Sequence, residues 1–200
     1  MEKFFSKIRP IAAFIGLGLL GLHLILLLVY MIGAGAEPLS MIGWGVELLL
    51  AGALAFAFFA KKDALLKAVL VLLLAFVAVG YCLSGISALQ WGGGDGGRVF
   101  AILAMVSAIG ALTLYLLKFV VPAVFDKPLF KLIILALVAS IFVFGFIGSI
   151  FVFVEAGKAV ADAKKYGYEA KVWPQVIYCI DYCMIVPAAF LFGLFVHEGY

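Results

Sequence analysis

The sequence predicts an all-α integral membrane protein, a six-transmembrane-helix bundle with N and C termini cytoplasmic. Three observations carry that reading. Hydrophobic residues make up 68% of the 200 and charged residues only 12%, and the mean hydropathy is +1.29. A soluble domain of this length needs a charged surface that this chain lacks. Second, six apolar runs fall at about 10–32, 40–60, 64–89, 98–121, 129–154 and 173–196. Each reaches the ~20 residues that cross a ~30 Å hydrocarbon core at ~1.5 Å per residue. They take up nearly the whole chain, so residues 1–200 read as a single transmembrane domain. The runs are continuously apolar rather than alternating, which argues against strands.

Third, the basic residues are sorted by side. Lys3, Lys7, Arg9, Lys61, Lys62, Lys67, Lys118, Lys127 and Lys131 fall on one side, nine of the 14 Lys and Arg. Arg98 and Lys158, Lys164, Lys165 and Lys171 fall on the other, four of them in a loop shared with Glu155, Asp162 and Glu169. The positive-inside rule puts the first side, and both termini, in the cytoplasm. Trp44, Trp91 and Trp173 all lie at the opposite, outer ends of their spans, as an interfacial aromatic belt does. The formal net charge of +3 is too small to point to nucleic acid.

Residues 1–9 form a basic, aromatic lead. Ala34-Gly35-Ala36 resembles a small-residue cleavage site, but the apolar stretch before it exceeds the roughly 7–15 residues of a signal peptide. The first span is therefore expected to be a retained helix. Its Gly16-Leu17-Gly18-Leu19-Leu20-Gly21 formally matches the dinucleotide fingerprint, which needs a preceding strand and a helix N-terminus at the phosphates. Mid-helix glycines fit close helix packing instead. Gly16, His23 and Tyr30 recur every seven residues and share one face.

Residues 33–39 make a short outer turn. Span two then carries Glu47 about two turns in, with Gly43 and Ala51 one turn to either side, leaving room for another backbone or a small ligand. Lys61-Lys62-Asp63 reads as a tight inner turn. Span three ends in a polar patch of Tyr81, Cys82, Ser84 and Ser87. Residues 92–97, glycine-rich around Asp95, read as a flexible outer loop without the Gly-Lys-Ser/Thr ending of a phosphate loop. Span four has only Ser107 and Thr113 as polar interruptions. Pro122 and Pro128 bracket an inner turn, and span five has the small residues of a packed face at Ser140, Gly145, Gly148 and Ser149. Segment 155–171 is an outer amphipathic stretch, expected as a helical extension or a short surface helix, in which Glu155–Lys158, Lys158–Asp162 and Asp162–Lys165 have helical salt-link spacing.

Span six is the unusual one. Asp181 sits about eight residues inside it, where an aspartate costs roughly 2.5–3.5 kcal/mol on insertion scales and so needs a partner or a purpose. Asp181, Tyr178, Tyr182, Gln175 and Cys179 share one arc, against Val176, Ile177, Ile180 and Met184 on the other. Pro187 withholds the hydrogen bond to the Cys183 carbonyl and permits a kink just below the aspartate. The three cysteines, Cys82, Cys179 and Cys183, exclude a secreted disulfide framework. Cys179 and Cys183, four apart on one helix, suit a disulfide poorly.

Depth ties these features together. His23, Glu47 and Asp181 each lie about seven to nine residues below the outer ends of their spans, roughly 10–14 Å deep. The inner halves of the spans are almost wholly apolar, so a polar chamber is expected in the outer half of the bundle. The candidate ligand- or ion-binding residues are Asp181, Glu47, His23, Tyr178, Tyr182 and Gln175. For Glu47 alone the simpler reading is a side chain that snorkels to the interface, and for His23 a hydrogen-bonded packing residue. Two acids against one histidine favour a small polar or cationic solute, or proton coupling.

The expected function is small-solute transport, as a transporter or the membrane-embedded substrate-binding subunit of one, in the cell membrane. The alternative is a non-catalytic structural or assembly subunit whose polar faces dock other membrane subunits. Two histidines and no paired catalytic signature supply haem ligation, di-metal hydrolysis or acyl transfer poorly. No enzyme activity, cofactor, metal or nucleic-acid partner is expected, and the bilayer itself is the first partner.

Overall fold

Six helical spans, each long and apolar enough to cross a membrane, make up the computed structural model of the chain, which describes residues 2–35, 38–91, 94–125, 127–169 and 171–198. The described residues contain helix and no strand. This is a multi-pass membrane protein. The elements are α1 (Glu2–Ala34), α2 (Pro38–Phe59), α3 (Asp63–Trp91), α4 (Gly94–Val120), a one-turn α5 (Pro122–Phe125) and α6 (Pro128–Lys165). The last span is built from α7 (Trp173–Ile180), a π-helical turn (Asp181–Ile185) and α8 (Val186–Glu198).

Consecutive spans are neighbours. α1 packs on α2, α2 on α3, α3 on α4, α4 on α6, α6 on the π turn and α8, and α8 back on α1. Sequence order is therefore ring order, and each span runs antiparallel to both its neighbours, as short connections dictate. The connections after α1, after α3 and after α6 lie at one end of the ring. Leu20, Leu24, Leu73, Val138, Val186 and Phe190 belong to one buried cluster inside it. Large apolar side chains such as Leu49 and Val120, each 75% exposed, suit a hydrocarbon surround that demands no polar partner.

The turns show how side chains and glycines end these helices. Gly167 takes φ +77 after α6 while the Tyr168 amide donates back to the Ala163 carbonyl, a glycine-terminated Schellman closure. The α2–α3 turn makes the same closure, with the Lys62 amide on the Ala57 carbonyl, but a lysine, Lys61, occupies the left-handed position at φ +52. An L side chain there costs roughly 1–2 kcal/mol, so this junction is held by the packing of the helices it joins.

The basic lead at residues 2–9 is helix, continuous with the first span. One expectation from the sequence needs correction. The glycine-rich stretch at 92–97 is not all loop: α4 starts at Gly94, and residues 92 and 93 lie outside the described residues. A Cβ on Gly96 would meet the Phe151 ring at 2.5 Å, so glycine there lets the first turn of α4 press against α6. Of the two readings of segment 155–171, a helical extension or a short surface helix, the structure has the extension as far as Lys165. α6 runs unbroken for 38 residues to Lys165, about 57 Å at 1.5 Å per residue, well past a hydrocarbon core. Two of the three spaced charge pairs form on this extension, Lys158–Glu155 at 2.9 Å and Lys165–Asp162 at 3.0 Å.

Candidate functional site

Three helices bring three ionisable side chains to one point. His23 donates or accepts through Nδ1 at 2.7 Å from Asp181 Oδ2, and through Nε2 at 2.8 Å from Glu47 Oε1. His23, Glu47 and Asp181 are 0%, 2% and 1% exposed. α1 supplies the ring, α2 the first carboxylate and the π turn the second. The simpler reading of Glu47 as a snorkelling side chain is wrong, because its carboxylate is buried against the imidazole. His23 is hydrogen-bonded, and on both sides.

The face of α1 that carries Gly16, His23 and Tyr30 is the face turned to the last span. A Cβ on Gly16 would stand 3.3 Å from Phe192 Cβ and 3.5 Å from the Ala189 carbonyl oxygen. Tyr30 packs its ring 5.1 Å from that of Tyr178. The seven-residue spacing thus becomes a seam along which α1 and the last span run close.

The kink expected at Pro187 takes the form of the π turn. The Val186 amide donates to the Asp181 carbonyl, five residues back. In that register the amide of residue 187 would serve the Tyr182 carbonyl, and proline has none. The Tyr81 hydroxyl, from α3, donates to that carbonyl instead. Gly145 of α6 lets the turn pack close, since a Cβ there would be 3.3 Å from Cys183 Cα. Asp181 is thereby fixed at the first position of a backbone irregularity that neighbours on two helices hold.

Proton counting limits what the cluster can be. Each of its two hydrogen bonds needs one proton, on nitrogen or on oxygen. With two protons the three groups carry a net charge of −1, either as imidazolium between two carboxylates or as imidazole with one carboxylic acid. A third proton makes the cluster neutral. Asp181 Oδ1 is buried without a hydrogen-bond partner among the described residues, so it is an open acceptor or proton position. A net charge at this burial is costly, by several kcal/mol, unless something compensates it.

Two cavities flank the cluster, both toward the end of the ring that carries Gly35 and Trp173. One, about 510 Å³, lies between α1, α2 and α3 and reaches from Glu47 to Ala34, Gly35 and Ser40. The other, about 890 Å³, lies between α3, α4, α6 and the last span and is lined by Arg98, Glu155, Lys171 and Gln175 among others. Tyr178 and Tyr182 line both and form the partition. Their rings are 4.6 Å apart, and Tyr182 also meets His23 and Tyr81 edge-on at 5.8 and 6.0 Å. Toward the other end lies a space of about 50 Å³, walled by Leu17, Leu54, Leu70 and other apolar groups.

Of the six residues singled out from sequence, the structure joins His23, Glu47 and Asp181 directly and sets Tyr178 and Tyr182 against them. Gln175 stands apart, exposed on the wall of the larger cavity. Two residues outside that set also build the site. Tyr81 holds the π turn, and Trp44, expected at the membrane interface, is half-buried with its indole N–H on the Leu24 carbonyl at 2.9 Å. Trp44 precedes Glu47 by three residues, so the shared helix face was the available signal. Cys82, Cys179 and Cys183 are free thiols. Among the described residues no cluster of three or more His, Cys, Asp or Glu side chains has a metal-holding arrangement. The chain matches no protein-family model, no curated protein and no solved structure.

Proposed function

We propose that this protein moves a small solute across the cell membrane, as a transporter or as the membrane-embedded substrate-binding subunit of one. In this reading both termini are cytoplasmic and the site lies in the outer half of the bundle. One observation carries the proposal. A buried Glu47–His23–Asp181 cluster, in which one Asp181 oxygen has no hydrogen-bond partner among the described residues, borders through Glu47 a cavity that reaches the Gly35 end of the ring. Volumes of about 510 and 890 Å³ fall in the ~300–1,000 Å³ range of small-molecule sites. A break in a spanning helix beside an intramembrane acid is a recurrent ion- or substrate-site device.

Catalysis is the weaker use of this geometry. Both imidazole nitrogens are taken by carboxylates, which leaves neither free to activate a hydroxyl or thiol as a nucleophile. The site suits binding and proton exchange. The test is native mass spectrometry of the protein extracted gently from its own membrane. A small adduct present on the wild-type chain and lost from Asp181→Asn supports the proposal and gives the ligand's mass. Stoichiometric copies of other chains with no adduct would make the protein an assembly subunit and Asp181 interhelical glue.

A further inference from the structure

The smaller cavity has one sign of charge and an unusual wall. Five aromatic side chains line it, Tyr30, Trp44, Phe76, Tyr178 and Tyr182. Among the described lining residues Glu47 is the sole charged one. The larger cavity differs, with Arg98 and Lys171 set against Glu155. Two of the aromatic groups are held in place, Trp44 by its bond to Leu24 and Tyr178 by tilted ring contacts with Tyr30 and Tyr182.

We infer that the cavity between α1, α2 and α3 binds a small organic ammonium cation, which enters in exchange for one proton held by the Glu47–His23–Asp181 cluster. This rests on the transporter reading and names the substrate class of that site. Aromatic faces attract a cation by their quadrupoles, most strongly where water is excluded. A hard inorganic cation needs about six to eight oxygen ligands, and this wall offers one carboxylate, Ser40 and tyrosine hydroxyls. An ammonium group with a carbon skeleton uses both features. It places its charge beside Glu47 and its alkyl surface on the rings.

The exchange follows from the proton count. With three protons the cluster is neutral and the cavity needs no cation. With two it carries −1, and a monovalent cation against Glu47 restores neutrality at a buried depth where an uncompensated charge is costly. One cation in and one proton out leaves the charge unchanged. Of the titratable groups around the cluster, Tyr182 meets the His23 ring edge-on, Tyr81 bonds the Tyr182 carbonyl, Tyr178 packs on Tyr182 and Tyr30 on Tyr178, and Cys179 and Cys183 lie two residues to either side of Asp181 in the chain. Phenols and thiols ordinarily titrate above neutral pH, so the exchanging proton belongs to the three-residue cluster.

Purified full-length protein in nanodiscs tests this directly. The probes are the tetraalkylammonium series from tetramethyl to tetrabutyl, choline, and 3,3-dimethylbutan-1-ol as the uncharged counterpart of choline. Calorimetry reads binding, and a pH indicator in weak buffer reads protons. At least one cation is expected to bind on the order of tenfold tighter than the neutral alcohol. About one proton should leave per cation bound, with affinity rising up to roughly tenfold per pH unit. Tyr178→Leu should weaken binding about 5–30-fold while Tyr178→Phe stays within about twofold, a contrast that a folding defect does not produce. Glu47→Gln should abolish proton release. Cation binding without proton release, or no preference for any cation over the alcohol, overturns the inference. A neutral or anionic native adduct lost in Asp181→Asn would overturn it while keeping the transporter reading. No adduct and no probe binding would overturn both.

Discussion

The Tyr81 hydroxyl donates to the Tyr182 carbonyl, the oxygen that Pro187 leaves without a donor in the π register. A bond between side chain and backbone 101 residues apart thus satisfies the break that sets Asp181 against His23. In a bilayer a freed carbonyl has no water to turn to, so such breaks survive only where a neighbour supplies the proton.

Tyr81→Phe should therefore destabilise the fold by about 1–3 kcal/mol, the cost of a buried acceptor left unmade. SDS titration of the purified protein measures it. Pro187→Ala restores a backbone N–H that can serve the same region, so Tyr81→Phe should cost less in that background, by about 1 kcal/mol in a double-mutant cycle. Full additivity of the two changes would mean that the hydroxyl and the proline are unrelated.

Removing the imidazole should be worse than removing either acid's charge. His23→Ala leaves two buried carboxylates facing a void, and breaking a buried ion pair from one side costs about 3–5 kcal/mol. Adding Glu47→Gln and Asp181→Asn to His23→Ala should recover about half of that loss, since the uncompensated charges go with them. A His23→Ala chain as stable as the wild type would show that the cluster contributes nothing to folding.

Run length and charge placement made the six spans and the common depth of His23, Glu47 and Asp181 legible in the sequence, because helical rise converts position into depth. Partnership was not legible. Which acid meets which ring nitrogen depends on the ring order of helices, and no local pattern encodes it. The π turn was hidden as well: Pro187 announced a break, but the donor that stabilises it comes from Tyr81 on another helix. Gln175 shared an arc with Asp181 on an ideal wheel, yet it lies well over a turn nearer the helix end and faces the larger cavity. The bond that Trp44 makes was not legible either, because depth along a span does not say which way a ring points, and its indole N–H turns to the Leu24 carbonyl.

Gly33 and Trp173 make a second close fit. A Cβ on Gly33 would lie 2.0 Å from the Trp173 ring, so even alanine forces the indole aside. Gly33→Ala should cost about 1–3 kcal/mol in SDS titration, the usual range for overpacking. In a Trp173→Ala background the same change should be nearly neutral. An equal cost in both backgrounds would place the strain elsewhere.

The direction in which the cavities open follows from the orientation proposed for the chain. Lys61, in the α2–α3 turn, and Tyr166, after α6, are both exposed and lie at opposite ends of the ring. With cytoplasmic termini, Tyr166→Cys should react with a membrane-impermeant maleimide on intact cells, and Lys61→Cys only after permeabilisation. The native thiols, none of them fully exposed, set the background. Labelling in the reverse sense would turn the bundle over. The cavity beside Glu47 would then open to the cytoplasm, and a site loaded from outside the cell could not be the one described.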